Sequence, residues 1–220
     1  MKELKYIAKL GEGQFGKVFL VEDEQGDRFA LKCIKKREII EYGMESMVVC
    51  EKQVLAELNH PMIVKMHCSF KDDAFLYLLF EYIEGCDFFD ALRSIGICSE
   101  NVSKFYLGSL VLALQELHSR NIIYRDLKPE NAVVDKNGYM YLIDMGATKK
   151  LVEENGFRTF TVIGTPHYMA PEAIEGKGYS FEVDIWSLGV MLYEMVCGQL
   201  PYGENEEDSY KIYKTILKEK

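Results

Sequence analysis

Tyr124-Arg125-Asp126-Leu127-Lys128-Pro129-Glu130-Asn131 brings a carboxylate, an ammonium and a carboxamide together within six residues, Asp126 to Asn131. Pro129 keeps this stretch out of a regular helix, so it reads as a loop. Eighteen residues after Asp126 a second acid stands in Ile143-Asp144-Met145-Gly146. A polar loop followed by an acidic turn would account for each segment alone. It does not explain why both occur downstream of a glycine loop and a strand lysine.

Upstream, Gly11-Glu12-Gly13-Gln14-Phe15-Gly16-Lys17-Val18 lies between strand-like runs at residues 4–10 and 18–23. Glycines there let backbone N–H groups approach phosphate oxygens, because no Cβ intervenes. A plain glycine-rich hairpin or a dinucleotide-binding turn would use similar residues. The dinucleotide reading needs a helix directly after the third glycine and an acid about 20 residues on. Here Val18-Phe19-Leu20-Val21 continues as strand, and Leu31-Lys32 occupies the later position. Lys32 closes the apolar run Phe29-Ala30-Leu31-Lys32, and Glu51 follows 19 residues later. Opposite charges about 4 Å apart attract by roughly 4 kcal/mol at an effective dielectric of about 20, enough to aim a lysine at a phosphate.

The remaining pattern predicts the architecture. Gln25-Gly26-Asp27 reads as a hairpin turn before a strand at 28–35. Val48, Val49, Lys52, Leu55 and Leu58 recur at helical spacing up to Asn59-His60-Pro61, so Glu51 falls on a helix. Strand-like runs follow at 64–70 and 75–81, then long helices at 99–119 and 184–197. These elements predict an α+β, bilobal fold. A small antiparallel β-sheet lobe with one main helix, residues 1–82, joins a larger, mainly helical lobe, residues 83–220, without a spacer.

Phosphoryl transfer would use these residues together. It needs a base for the attacking hydroxyl, metal ligands, and cations on the moving phosphate. Asp126 is the candidate base and Lys128 the candidate partner of the γ-phosphate. Asn131 and Asp144 offer hard oxygens suited to Mg²⁺. The ordered set resembles the eukaryotic protein kinase family over essentially the whole chain, with Ala170-Pro171-Glu172 closing an activation segment and Asp184 anchoring the catalytic loop. The resemblance implies ATP and Mg²⁺ as cofactors, with Lys32 and Glu51 as a catalytic pair. It also implies nucleotide contacts from Leu10, Gly11, Gly13, Gly16, Val18, Ala30, Lys32, Phe80, Glu81, Tyr82 and Val133. Phe80 takes the gatekeeper position ahead of a hinge at Glu81-Tyr82. Met145 departs from the family's usual Phe, a swap of similar bulk that costs under about 1.5 kcal/mol.

Tyr124 and the run Arg158 to Pro166 resemble Ser/Thr kinases of the AGC group, and Gly176 to Tyr202 most resembles its cyclic-GMP-dependent members. That likeness implies Thr161 as a regulatory phosphosite whose phosphate meets Arg125 and Lys149. It implies that Thr165 touches Asp126 and Lys128, and that Asp87, Glu130 and Glu194 receive the basic residues of a protein substrate. Regulatory cyclic-nucleotide-binding domains would lie outside this chain. The family's last helices, and an arginine partner for Glu172, would also lie beyond Lys220, a loss expected to cost about 3–5 kcal/mol.

Composition sets the outer bounds. The net charge of −9 argues against a nucleic-acid binder working through a basic surface. No apolar run reaches the roughly 18 residues of a membrane span. Six cysteines scattered without a CxxC pair predict a reducing, cytoplasmic compartment. A nucleotide-binding scaffold without catalysis is the alternative; retention of Lys32, Asp126, Asn131 and Asp144 weighs against it. A small-molecule phosphotransferase is disfavoured by the long activation segment, and a tyrosine kinase by Lys128 and Thr165.

Overall fold

In the computed structural model residues 4–13 and 16–218 are described. Gln14 and Phe15, at the tip of the glycine loop, lie outside them. Strands β1 (Lys5–Gly13), β2 (Gly16–Glu22) and β3 (Arg28–Lys35) run antiparallel. The β2–β3 turn forms where Gly26 adopts φ +87° and the Asp23 carboxylate accepts the N–H groups of Gln25 and Asp27. Helices α1 (Lys36–Glu41) and α2 (Glu45–Glu57) follow, then β4 (Met66–Lys71) and β5 (Phe75–Glu81). The resulting antiparallel sheet has the order β1-β2-β3-β5-β4.

The second lobe begins with β6 (Gly85–Asp87), α3 (Phe88–Ile95) and α4 (Glu100–Ser119). Short strands β7 (Ile122–Ile123), β8 (Ala132–Asp135), β9 (Met140–Leu142) and β10 (Lys149–Lys150) carry the loops between them. Helices α5 (Pro171–Glu175), α6 (Glu182–Cys197) and α7 (Ser209–Lys218) complete the described chain. Strand β8 pairs with both β6 and β9, and β10 pairs with β7.

Local chemistry sets these boundaries. Ser99 stands at the N-cap of α4, its hydroxyl 3.5 Å from the Val102 N–H, so the predicted helix starts one residue later. Gly198 ends α6 in the left-handed region at φ +74°. Strand β4 starts at Met66 and not at residue 64, because the Val64 N–H bonds the Leu142 carbonyl and ties the two lobes together. Helix α1 was not anticipated, since it follows β3 with no breaker between them.

One apolar core runs through both lobes. It includes Ile34, Val54, Leu55, Leu78 and Phe80 above, and Leu114, Leu117, Leu127, Leu142 and Met191 below. Met145 is 1% exposed within it, which supports apolar bulk as what its position requires. A second cluster of Ile123, Leu151, Met169, Ala170, Tyr179 and Val183 underlies the activation segment.

Candidate active site

The loop bearing Asp126 is held from below. Asp184, fully buried near the start of α6, accepts the backbone N–H of Tyr124 at 2.9 Å and of Arg125 at 2.8 Å. The His118 imidazole lies 2.7 Å from the same carboxylate. A buried carboxylate needs such partners to offset its desolvation. Arg125 itself sits at φ +73°, a conformation non-glycine residues seldom adopt, and the paired N–H groups hold it there.

Above this anchor the polar groups converge. The Asn131 amide donates to Asp126 Oδ2 at 3.0 Å and to the Asp126 carbonyl at 2.8 Å. Thr165 Oγ1 donates to Asp126 Oδ1 at 2.6 Å and accepts from Lys128 Nζ at 2.7 Å. Lys128 Nζ also lies 3.4 Å from Asp126 Oδ2. Both Asp126 oxygens are therefore fixed in direction.

Strand β3 and helix α2 contribute the second group. Lys32 Nζ lies 2.6 Å from Glu51 Oε1 and 3.1 Å from Asp144 Oδ1. Burial disfavours the ammonium, but the Asp144 and Glu51 carboxylates outweigh it and raise the Lys32 pKa above its ordinary value. Lys32 in turn holds Asp144 below the usual carboxylate range, helped by the Gly146 N–H at 2.9 Å. Glu51 is raised by its burial, with Lys32 opposing.

The residues expected to touch nucleotide are spread over β1, β2, β3, β5 and β8. Val18 pairs with Lys32 and Ala30 with Phe80, so these four share one face of the sheet. Gly11 faces Val18, and Gly13 faces Gly16 across the β1–β2 hairpin. Leu10 is exposed at 44% on β1. Phe80 is buried near the end of β5; beside it the Glu81 N–H donates to the Lys65 carbonyl at 3.0 Å, and the Glu81 carboxylate accepts the Lys65 N–H at 2.7 Å. Tyr82 follows β5, and Val133 on β8 is half-buried.

Among the described residues no cluster of three His, Cys, Asp or Glu side chains is arranged to hold a metal. Asn131 and Asp144 still suit Mg²⁺. With the Asn131 amide nitrogen turned to Asp126, its carbonyl oxygen is the donor left for a cation. Asp144 stays ionised beside Lys32. Mg²⁺ takes few protein oxygens and completes its shell with water and phosphate.

Thr161 is exposed, and its carbonyl accepts the Tyr179 hydroxyl at 2.5 Å. Its two expected partners are engaged nearby. Arg125 donates to the carbonyls of Ala147 at 2.7 Å and Thr148 at 3.4 Å, leaving Nη1 buried without a bond. Lys149 Nζ reaches Thr159 Oγ1 at 3.0 Å.

Of the three carboxylates expected to receive basic residues, Glu194 accepts the Tyr168 hydroxyl at 2.7 Å. Burial raises the Glu194 pKa, and the charges of Glu130 and Glu204 add to it. Asp87 is raised likewise by partial desolvation and then by Asp90 and Glu130. Asp87, Glu130 and Glu194 thus belong to one run of mutually repelling carboxylates. Asp90 and Glu204 extend it and the Tyr168 hydroxyl donates into it; sequence reasoning missed all three. The Glu204 carboxylate accepts the Leu200 N–H, and its charge bears on Glu194.

The protein kinase domain family matches residues 4–219. The chain is similar to the cGMP-dependent protein kinase of Plasmodium berghei (strain Anka), with 47% identity over 99% of this chain and 25% of that protein. It is 41% identical to the cAMP-dependent protein kinase catalytic subunit of Dictyostelium discoideum, over 99% of this chain and 33% of the relative. It is 42% identical to human cGMP-dependent protein kinase 2, over 99% of this chain and 28% of the relative. The chain therefore spans only a third or less of the length of these relatives.

Proposed function

The chain belongs to the protein kinase domain family, and on that premise we propose that it transfers the γ-phosphoryl group of ATP to Ser or Thr of protein substrates carrying basic residues near the acceptor. The observation that carries this reading is the convergence of Asp126, Lys128, Asn131 and Thr165 opposite the Lys32–Glu51–Asp144 cluster.

Mg·ATP supplies the transferable phosphoryl group and the metal charge that neutralises it. Asp126 orients the acceptor hydroxyl and takes up its proton, its carboxylate steered by Asn131 and Thr165. Lys128 sets a positive charge beside that acceptor, and Lys32, fixed by Glu51, sets another toward the nucleotide phosphates. The glycines at 11, 13 and 16 allow close backbone approach. Because these groups are bonded to one another beforehand, little reorganisation is left for the reaction itself.

The acidic run from Asp87 to Glu204 supports a substrate rich in arginine. The exposure of Thr161, whose carbonyl accepts the Tyr179 hydroxyl, supports activation by phosphorylation there. Similarity to kinases named for cGMP and cAMP supports control of the whole protein by a cyclic nucleotide bound elsewhere. Six free cysteines fit a reducing, cytoplasmic setting, and no helix among the described residues is long and apolar enough to cross a membrane.

The test is Mg²⁺-dependent transfer of labelled phosphate to an arginine-rich serine peptide, alongside the Asp126→Asn variant. Transfer by the native chain should fall about 100-fold to 10,000-fold in the variant, with Mg·ATP binding retained. Equal transfer by both proteins, or none from a folded, nucleotide-binding native chain, would overturn the reading.

A further inference from the structure

His167 stands in the 3-10 turn Pro166–Tyr168, between two residues already tied to the site. Thr165 is bonded to Asp126 and Lys128, and Tyr168 to Glu194. The ring is half-buried, and its Nε2 lies 3.1 Å from the Gly203 carbonyl oxygen. A carbonyl only accepts, so Nε2 carries a proton and donates it. Nδ1 is then the nitrogen at which the ring gains a second proton and a positive charge. The other three histidines sit elsewhere: His60 accepts the Met62 N–H, His67 packs edge-on to Phe29, and His118 meets Asp184.

Carboxylates surround this turn. Glu194 on α6, Glu130 in the catalytic loop and Glu204 in the α6–α7 connection all bear on the Tyr168 hydroxyl, one residue from His167. On α7, which packs against the same turn, Lys211 is already paired with Glu206 at 3.2 Å. Burial, Glu130 and Glu204 push the Glu194 pKa up, while the Tyr168 hydroxyl and His167 oppose them. The imidazole is thus a group able to carry positive charge, built into the Glu204 end of an otherwise acidic run.

We propose that His167 is a specificity-determining residue of the peptide site. Its imidazolium takes the place of a substrate cation at the Glu204 end of the run, so one flanking position of the substrate gains nothing from arginine. The acids at the other end, Asp87, Asp90 and Glu130, still draw arginine in. Like charge turns a basic residue away at one subsite, and unopposed carboxylates select for one at the next. The inference rests on the reading of this run as the peptide-binding surface.

The experiment uses a serine peptide with one arginine as reference and places a second arginine at each flanking position in turn. Native protein, His167→Gln and His167→Ala are compared by kcat and KM on every peptide. Glutamine keeps an N–H for the Gly203 carbonyl but cannot become charged. At one position the second arginine should improve KM less than about twofold in the native chain and about threefold to tenfold in both variants, with kcat little changed. Every other position should rank alike in the three proteins. A scan identical in native protein and His167→Gln would overturn the inference. So would a scan altered in His167→Ala alone, which would assign His167 to holding the Gly203 loop. A folded, Mg·ATP-binding native chain that phosphorylates none of the peptides would instead overturn the peptide-site reading itself.

Discussion

Lys32 on β3 and Glu51 on α2 meet at 2.6 Å, and the glutamate side chain is only 4% exposed. The pair thus carries a buried carboxylate whose charge depends on one neighbouring ammonium. Burial already holds the Glu51 pKa above its ordinary value while Lys32 opposes.

Lys32→Met should therefore destabilise the protein in a pH-dependent way. With the ammonium gone the Glu51 pKa rises further, so the folded state binds a proton that the unfolded state lacks. Stability of the variant then falls as pH rises through that window and is regained on acidification. We expect a loss of about 3 kcal/mol at pH 8, and a smaller gap to the native protein at pH 5.5. Thermal or urea unfolding of both proteins at the two pH values checks the sign. A gap that widens on acidification would contradict it.

Glu194 should set peptide affinity more than turnover. Its pKa is raised by burial and by Glu130 and Glu204, so it loses charge on acidification before an ordinary glutamate does. The peptide KM should climb as pH falls toward that raised value, while the KM for ATP changes little. Glu194→Gln should raise the peptide KM about tenfold at neutral pH and flatten this dependence. Steady-state kinetics on an arginine-containing peptide across pH 5.5–8 measures both effects.

Glycines should divide into two classes on substitution by alanine. A Cβ at Gly16 would stand 2.2 Å from the Cys33 carbonyl oxygen, and one at Gly85 1.9 Å from that of Val134. Backbone cannot yield cheaply there, so each change should cost about 1–3 kcal/mol. Gly108 within α4 has nothing within 4 Å of its added Cβ, and Gly108→Ala should stabilise by up to about 1 kcal/mol. Opposite shifts in denaturant midpoint are the expected readout.

The sheet strands and the three long helices were legible because their apolar spacing persists over several turns or alternations. The Lys32, Glu51, Asp126, Asn131 and Asp144 positions were legible as an ordered set of motifs. Helix α1 was not, since Lys36–Glu41 is only six residues long with no side-chain capping bond to mark its start. Tyr168 escaped notice because its partner, Glu194, is 26 residues away and its role exists only once α6 packs beneath the segment.

Asp184 holds the catalytic loop by the peptide N–H groups of residues 124 and 125, and those groups are common to every amino acid except proline. At these two positions the grip is made by backbone alone, so a substitution at Tyr124 probes the fit of the core around a 1% exposed ring and leaves the anchor's own hydrogen bonds available.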